Sequence, residues 1–357
     1  MTIGEQEARA ADTPYLMADL DRIDANLMRC QRHLDDHGIR LRPHIKTHKM
    51  VWLAERQSEL GAVGITCQKI GEAEVTVDGG IDDILITYNL IGAAKHRRLA
   101  PLLGKAKITL SADHPDIVSG YAALARQVGR PIEVMVECDT GMGRCGVADP
   151  KSAVTLAQII RNQNGLRYRG LVTYPDTAGS SEDLNRWLED ARTLFAAADI
   201  DIGQVSSGGT PNLWRAHEVP GVSEHRPGTY VFMDRSQVAR GVCSFDDCAL
   251  DVVATVVSHP RDRSIVVDAG SKTLTSDLLG LEGHGHIREL PTARIVKLSE
   301  EHGVVSLNGE AAPCLGARLR IVPNHVCVCV NMVDRIAFAR DGAIQRWASI
   351  DARGRSA

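Results

Sequence analysis

The chain has 357 residues, 44% of them hydrophobic and 24% charged, a composition that supports a large buried core and excludes intrinsic disorder. A formal net charge of −4 leaves no surplus of basic side chains to neutralise a phosphate backbone or an anionic bilayer, so neither nucleic acid nor a membrane is expected as a partner. One α/β barrel of about 250 residues plus a smaller domain accounts for this length.

The start, Met1-Thr2-Ile3-Gly4-Glu5-Gln6-Glu7, has neither the basic opening nor the apolar stretch of a secretion signal. No apolar run approaches the roughly 18 residues that span a bilayer, so a cytoplasmic location is expected. The nine cysteines are scattered and odd in number, which fits reduced thiols rather than a disulfide framework.

From about residue 14 to 230, short apolar runs alternate with amphipathic stretches, the βα pattern of a parallel sheet. The predicted strands are Tyr15–Ala18, Leu41–Lys46, Ala62–Cys67, Asp83–Thr87, Lys107–Ser111, Ile132–Glu137, Arg169–Thr173 and Ile202–Ser206. Eight such units predict closure into a (β/α)8 TIM barrel. After Arg226-Pro227-Gly228 come the β-branched runs Ala249–Val257, Ser264–Val267, Arg294–Leu298, Arg318–Val322 and Val326–Val330, separated by Gly, Pro and Asp turns. The expected division is therefore a barrel over residues 1–235, whose first residues could pack on the second domain, and a C-terminal β domain over 236–357. The end, Ala352–Ala357, reads as a frayed tail.

Barrel enzymes carry their chemistry at the C-terminal ends of the strands, and three candidate segments lie there. In Leu41-Arg42-Pro43-His44-Ile45-Lys46, the Lys46 amine has His44, His48 and Lys49 close in sequence, and neighbouring cations lower a lysine pKa and make the amine reactive. Glu137-Cys138-Asp139-Thr140-Gly141-Met142-Gly143-Arg144-Cys145-Gly146 is a glycine-rich loop presenting the planar donor of Arg144. Ser206-Ser207-Gly208-Gly209-Thr210-Pro211 lets backbone N–H groups approach an anion, with the Thr210 hydroxyl as a further donor. Taken singly, the lysine segment reads more readily as a solvated basic loop and the glycine pair as a turn, while the Arg144 loop reads equally well as an ion-paired arginine.

In the second domain, Pro323-Asn324-His325-Val326-Cys327-Val328-Cys329 reads as a strand with His325 and Cys327 on one face, half of a zinc site with open positions. Cys329 would share that face as a third ligand or a packed thiol. A buried histidine beside a structural cysteine is the other reading.

In this order, the segments resemble the D-threonine aldolase and D-serine dehydratase family of fold-type III pyridoxal 5′-phosphate (PLP) enzymes over nearly the whole chain. Lys46 in Pro43-His44-Ile45-Lys46-Thr47-His48 matches the family's Schiff-base lysine, and Arg144 matches the arginine of its Asp-x-Gly-x-x-Arg-x-Gly loop. Gln68, Tyr174, Gly208, Gly209, Thr210 and Tyr230 sit where the family binds the cofactor ring or phosphate, and His325 matches its metal-binding histidine. The resemblance implies an alanine-racemase-like barrel followed by a β domain, PLP with a divalent metal (zinc favoured, manganese or magnesium possible), D-3-hydroxy amino acid substrates and a homodimer. It further implies that Lys46 is both cofactor anchor and base for the α-proton. The second metal position tends to be aspartate in aldolase-type members and cysteine in dehydratase-type members, so Cys327 favours a dehydratase yielding a 2-oxo acid and ammonia. Retro-aldol cleavage to glycine and an aldehyde is the nearest alternative, followed by an amino-acid racemase and a non-enzymatic PLP carrier. Relatives often carry Gly-His after the barrel tyrosine, where this chain has Tyr174-Pro175-Asp176-Thr177.

Overall fold

The computed structural model describes residues 6, 10–176 and 181–357. The expectations on Met1–Glu5, on Glu7 and on Thr177 lie outside the described residues. Strand β1 (Tyr15–Asp19) and helix α1 (Leu20–Asp36) come first. Then follow β2 (Arg40–Leu41), α2 (Val51–Glu59), β3 (Ile65–Cys67), α3 (Ile70–Asp78), β4 (Asp83–Ile86), α4 (Ala93–Leu102), β5 (Lys107–Ala112) and α5 (Pro115–Val128). The alternation continues with β6 (Ile132–Cys138), α6 (Pro150–Arg161), β7 (Leu166–Thr173), α7 (Ser181–Ala197), β8 (Gln204–Ser207) and β9 (Glu224–His225).

Strands β2 to β9 form one parallel sheet in the order β2-β9-β8-β7-β6-β5-β4-β3. Its two ends meet where His44 bridges Thr66: the Thr66 N–H donates to Pro43 O at 2.8 Å and the Ile45 N–H to Thr66 O at 3.0 Å. Closure of the parallel ring makes this the expected barrel, and residues just past each strand gather at one rim. The helices are built as their sequences dictate. In α5, Ile117, Val118, Tyr121, Ala122, Leu124 and Ala125 recur at helical spacing and are buried, His114 accepts the first-turn N–H of Asp116, and Gly129 at φ +67° ends the helix.

The other elements are β10 (Leu250–Arg261), β11 (Ser264–Val267), β12 (His286–Ile287), β13 (Arg294–Leu298), β14 (Gly303–Ser306), β15 (Arg318–Val322), β16 (Arg335–Arg340) and β17 (Ala343–Ser349), with short helices α8 (Arg235–Ala239), α9 (Ser271–Leu274) and α10 (Val326–Met332). The chain groups into two compact units. Cys30–Lys46, Val51–Gly228 and Arg355–Ala357 make the barrel unit; the described residues up to Arg29, Thr47–Met50 and Thr229–Gly354 make the second. Tyr15, Val253, Ala337 and Ile344 form a buried cluster in the second unit; Leu85, Met135 and Val172 form one in the barrel.

Three expectations are corrected. Tyr15–Ala18, counted among the eight barrel strands, pairs antiparallel with β10 (Leu16 opposite Val252) and parallel with β16 (Ala18 beside Phe338). A short apolar strand carries no mark of which sheet it joins, and the vacant place in the barrel goes to the polar strand Glu224–His225. Val326–Val330 is helix, not strand. The buried carboxylate of Asp234 accepts the Val326 N–H at 3.1 Å, so a distant residue caps a run whose own composition favours a sheet. The tail is not frayed: Ala352 is buried, its N–H donates to Lys49 O, and Ala357 O accepts the Gly71 N–H at 3.1 Å. Among the described residues, no helix is long and apolar enough to cross a membrane.

Candidate active site

In the barrel unit, the predicted residues fall just beyond strand ends. Gln68 follows β3, Arg144 lies in the loop after β6, Tyr174 follows β7, and Gly208 follows β8. Lys46 lies past β2 and the His44 bridge. Gln68 is fully engaged: its amide N–H donates to Thr87 O at 2.8 Å while its oxygen lies 3.0 Å from His44 Nε2. His44 Nδ1 in turn accepts the Lys46 N–H at 3.4 Å. Gln68 therefore holds the lysine segment through His44.

The glycine pair is a cradle that side chains would fill. Gly208 and Gly209 have φ of +135° and +154°, and a Cβ on them would lie 2.6 Å from Arg226 N and 2.7 Å from Tyr174 Cε2. The neighbouring His225 is fully buried, donates from Nε2 to Gly209 O at 3.0 Å, and leaves Nδ1 without a hydrogen-bond partner among the described residues. Backbone laid open at the glycine pair fits the phosphate end of a cofactor, whereas Nδ1 of His225 is an acceptor and adds no donor there. Burial pushes the His225 pKa down to about 3, outweighing its bond to Gly209, so the ring is neutral. Arg144 stands over the Tyr174 ring at 5.2 Å, in a loop tied down by Asp139, whose carboxylate accepts the N–H groups of Gly141 and Gly143.

Arg226 was missed in the sequence. This buried guanidinium donates to Ser206 Oγ at 2.8 Å and to Thr173 O at 2.7 Å. Ser206 donates to Glu224 at 2.6 Å; Glu224 accepts from Arg42 Nε at 2.9 Å, and Arg42 pairs with Asp83 at 2.6 Å. This chain of buried charges crosses β9, β8 and β2 and braces the rim. Burial lowers the Arg226 pKa to about 10 against the raising effect of Glu224 and Glu137. Burial raises the pKa of Glu137 itself, whose carboxylate accepts from Ser111. Ser-Glu-His-Arg before Pro-Gly resembles a solvated turn in sequence, which is why it was passed over.

In the second unit, His325 and Cys327 come together by a route other than the strand face expected. His325 is the extended residue before α10, at φ −139°, and Cys327 lies in its first turn. The position before a helix turns its side chain back over that turn, and the two side chains hydrogen-bond. His325 Nδ1 bonds Asp277 Oδ2 at 2.7 Å, which leaves Nε2 for a ligand. Burial pushes the His325 pKa down, but Cys327 and Asp277 outweigh it and lift it to about 9. Imidazole, thiol and an orienting carboxylate form a donor set that suits zinc. Cys329 is fully buried and does not join them within ligand spacing, so it is a packed thiol. Thr47, the residue after Lys46, belongs to this unit and lies 3.2 Å from Cys327 Sγ. Asp277 and Thr47 carried no sequence signal. Tyr230 is also here, completely buried in a short 3-10 turn.

Two family models match the chain: the alanine racemase N-terminal domain over residues 18–236 and a putative serine dehydratase domain over 249–339. The chain is 36% identical to the D-threonine aldolase of an Arthrobacter species, over 98% of this chain and 95% of that protein. It is 34% identical to the D-threo-3-hydroxyaspartate dehydratase of Delftia sp. strain HT23, over 94% and 96%. A solved cysteine-to-alanine variant of a D-threo-3-hydroxyaspartate dehydratase, in the metal-free form, superposes with a TM-score of 0.83 at 31% identity over 96% of this chain and 98% of that one. The crystal structure of D-threonine aldolase from Filomicrobium marinum matches with a TM-score of 0.90, 31% identity and 98% of both chains covered.

Proposed function

The chain belongs to the fold-type III PLP enzymes of the D-threonine aldolase and D-serine dehydratase family, and we propose that it is a metal-assisted dehydratase of D-3-hydroxy amino acids. The His325–Cys327 pair, oriented by Asp277, carries this reading. A racemase needs no such pair, and a dehydratase among the similar solved structures has a metal-free form, which supports a metal in that relative.

Lys46 would anchor PLP through its amine, with the Gly208-Gly209-Thr210 backbone and hydroxyl on the phosphate and Arg144 and Tyr174 flanking the ring. Bound PLP withdraws the electron pair left at Cα, and a divalent ion held by His325 Nε2 and Cys327 supplies Lewis acidity to the 3-hydroxyl. The chain's own groups do the rest. Lys46, freed when the substrate amine takes its place, accepts the α-proton at Nζ. The Cβ–O bond then breaks, the electron pair leaves with the oxygen, and the proton held at Lys46 Nζ completes a water molecule; the released enamine gains a proton from solvent at Cβ, and water hydrolyses the resulting imine to the 2-oxo acid and ammonia. Asp277 keeps the proton on His325 Nδ1 so that Nε2 remains a ligand.

Retro-aldol cleavage is the second reading, favoured by the 36% identity to the Arthrobacter aldolase. There a base, for which Lys46 is the candidate, takes the hydroxyl proton, Cα–Cβ breaks to release the aldehyde, and that proton is delivered to Cα to give glycine. Product analysis on D-serine and D-threonine separates the two. Pyruvate with ammonia from D-serine, and 2-oxobutanoate with ammonia from D-threonine, support the dehydratase; glycine with acetaldehyde from D-threonine overturns it. A homodimer and a cytoplasmic location complete the proposal, and a monomer by light scattering would contradict the first.

A further inference from the structure

Away from these residues, and wholly within the barrel unit, three histidines converge on the outer surface. His33 lies in the last turn of α1, His37 follows one turn later, and His217 lies near the end of the 3-10 helix Thr210–Glu218. Positions four apart share a helix face, and the 3-10 helix brings the third ring against that face. The His37 and His217 rings stack at 4.0 Å, the His33 ring lies 4.7 Å and 5.5 Å from them, and one nitrogen of each ring falls within 4.8 Å of the others. Among the described residues, this is the single group of three or more His, Cys, Asp or Glu with metal-ligand spacing.

Two further observations prepare these nitrogens for a cation. His37 Nδ1 lies 2.7 Å from the carbonyl of His33, which fixes the proton on Nδ1 and leaves the Nε2 lone pair outward, the same tautomer selection that carbonyls impose on metal-bound imidazoles. His33 Nε2 is buried without a side-chain partner among the described residues, and the backbone of Trp214 is the polar group that meets the ring. Burial, then repulsion from His37 and His217, lowers the His33 pKa, so its ring stays neutral and ready to coordinate. Metal–nitrogen bonds of about 2.1 Å hold ligand nitrogens no more than about 4.2 Å apart, so a small rotation of the two exposed rings closes the set.

We propose that His33, His37 and His217 form a second metal site, distinct from the His325–Cys327 pair, for a borderline divalent ion such as Zn²⁺, Ni²⁺ or Cu²⁺. Three imidazole nitrogens with solvent at the remaining positions suit these ions and not the oxygen-seeking Mg²⁺ or Ca²⁺. The ion would tie α1 to the 3-10 helix that starts at Thr210, directly after the glycine pair.

The test is metal stoichiometry of the untagged, PLP-loaded protein by equilibrium dialysis against Zn²⁺ and Ni²⁺, comparing wild type, His37→Gln/His217→Gln and His325→Ala/Cys327→Ala. Both His37 and His217 are exposed, so the first variant leaves the core intact. The expected result is one fewer equivalent, or at least tenfold weaker binding of it, in His37→Gln/His217→Gln, while that equivalent persists in His325→Ala/Cys327→Ala. Equal stoichiometry and affinity in wild type and His37→Gln/His217→Gln overturns the site. Failure of the His325–Cys327 proposal changes the total in both proteins and not this difference.

Discussion

The hydroxyl of Thr47 lies 3.2 Å from the sulfur of Cys327, although 280 positions separate them in the chain. Thr47 is also the next residue after Lys46, so the backbone that carries the proposed base continues directly into a partner of the proposed metal ligand.

A hydroxyl beside a metal-bound thiolate donates to it and orients it, and removing such partners weakens metal binding by about 10- to 100-fold. Thr47→Val keeps the shape and deletes the donor. Zinc affinity should fall by about tenfold while the visible absorbance of bound PLP is unchanged. Unaltered affinity would show that the contact is only packing.

The cradle makes a sharper demand at Gly208 than at Gly209. A Cβ at Gly208 meets backbone nitrogen at 2.6 Å, whereas at Gly209 it meets the Tyr174 ring, which can move. Gly208→Ala should therefore lose PLP more readily. Forfeiting one or two phosphate bonds of about 1.5 kcal/mol each weakens retention at least about tenfold. Dialysis against buffer, followed by absorbance, measures the loss.

Most of the barrel was legible in the sequence, because seven of its eight strands fall in short runs bounded by polar turns and helices such as α5 and α6 carry their own caps. Lys46, Arg144 and the glycine pair lie beyond strand ends as their local sequence suggests, and it is the resemblance, not the segments singly, that marks them as site candidates. What escaped depends on partners distant in the chain. Glu224-His225-Arg226 is polar because it lines a buried ion chain, and the run reads as a turn until Arg42 and Ser206 are beside it. The Val-Cys alternation after His325 reads as a strand until Asp234 supplies the cap from another segment.

Buried ion pairs are costly to break from one side. Glu224→Leu leaves Arg42 with Asp83 alone and removes the acceptor of Ser206, so it should destabilise the fold by about 3 kcal/mol. The double change Arg42→Met/Glu224→Leu should recover part of that loss, because the buried Arg42 charge is removed together with its partner. Denaturant unfolding of the three proteins checks the order.

His225 gives a pH dependence of definite sign. Its folded pKa is pushed down to about 3 by burial, while in the unfolded chain it titrates near about 6.5. Between these values only the unfolded state binds the proton, so this contribution is intact above about pH 6.5 and falls by up to about 1.4 kcal/mol per unit as pH drops. His225→Asn, which keeps an N–H donor, should show a shallower loss of stability from pH 6.5 to 4.5 than wild type. Parallel curves would mean that His225 is protonated in the fold.

The most direct measurement is ammonia and 2-oxo acid release from D-serine and D-threo-3-hydroxyaspartate, before chelation, after it, and after zinc is restored. Wild type should release equimolar products that stop with chelator and resume with zinc, whereas His325→Ala/Cys327→Ala and Lys46→Ala should release neither. Glycine as the product, or turnover that survives complete metal removal, would contradict the metal-assisted dehydratase.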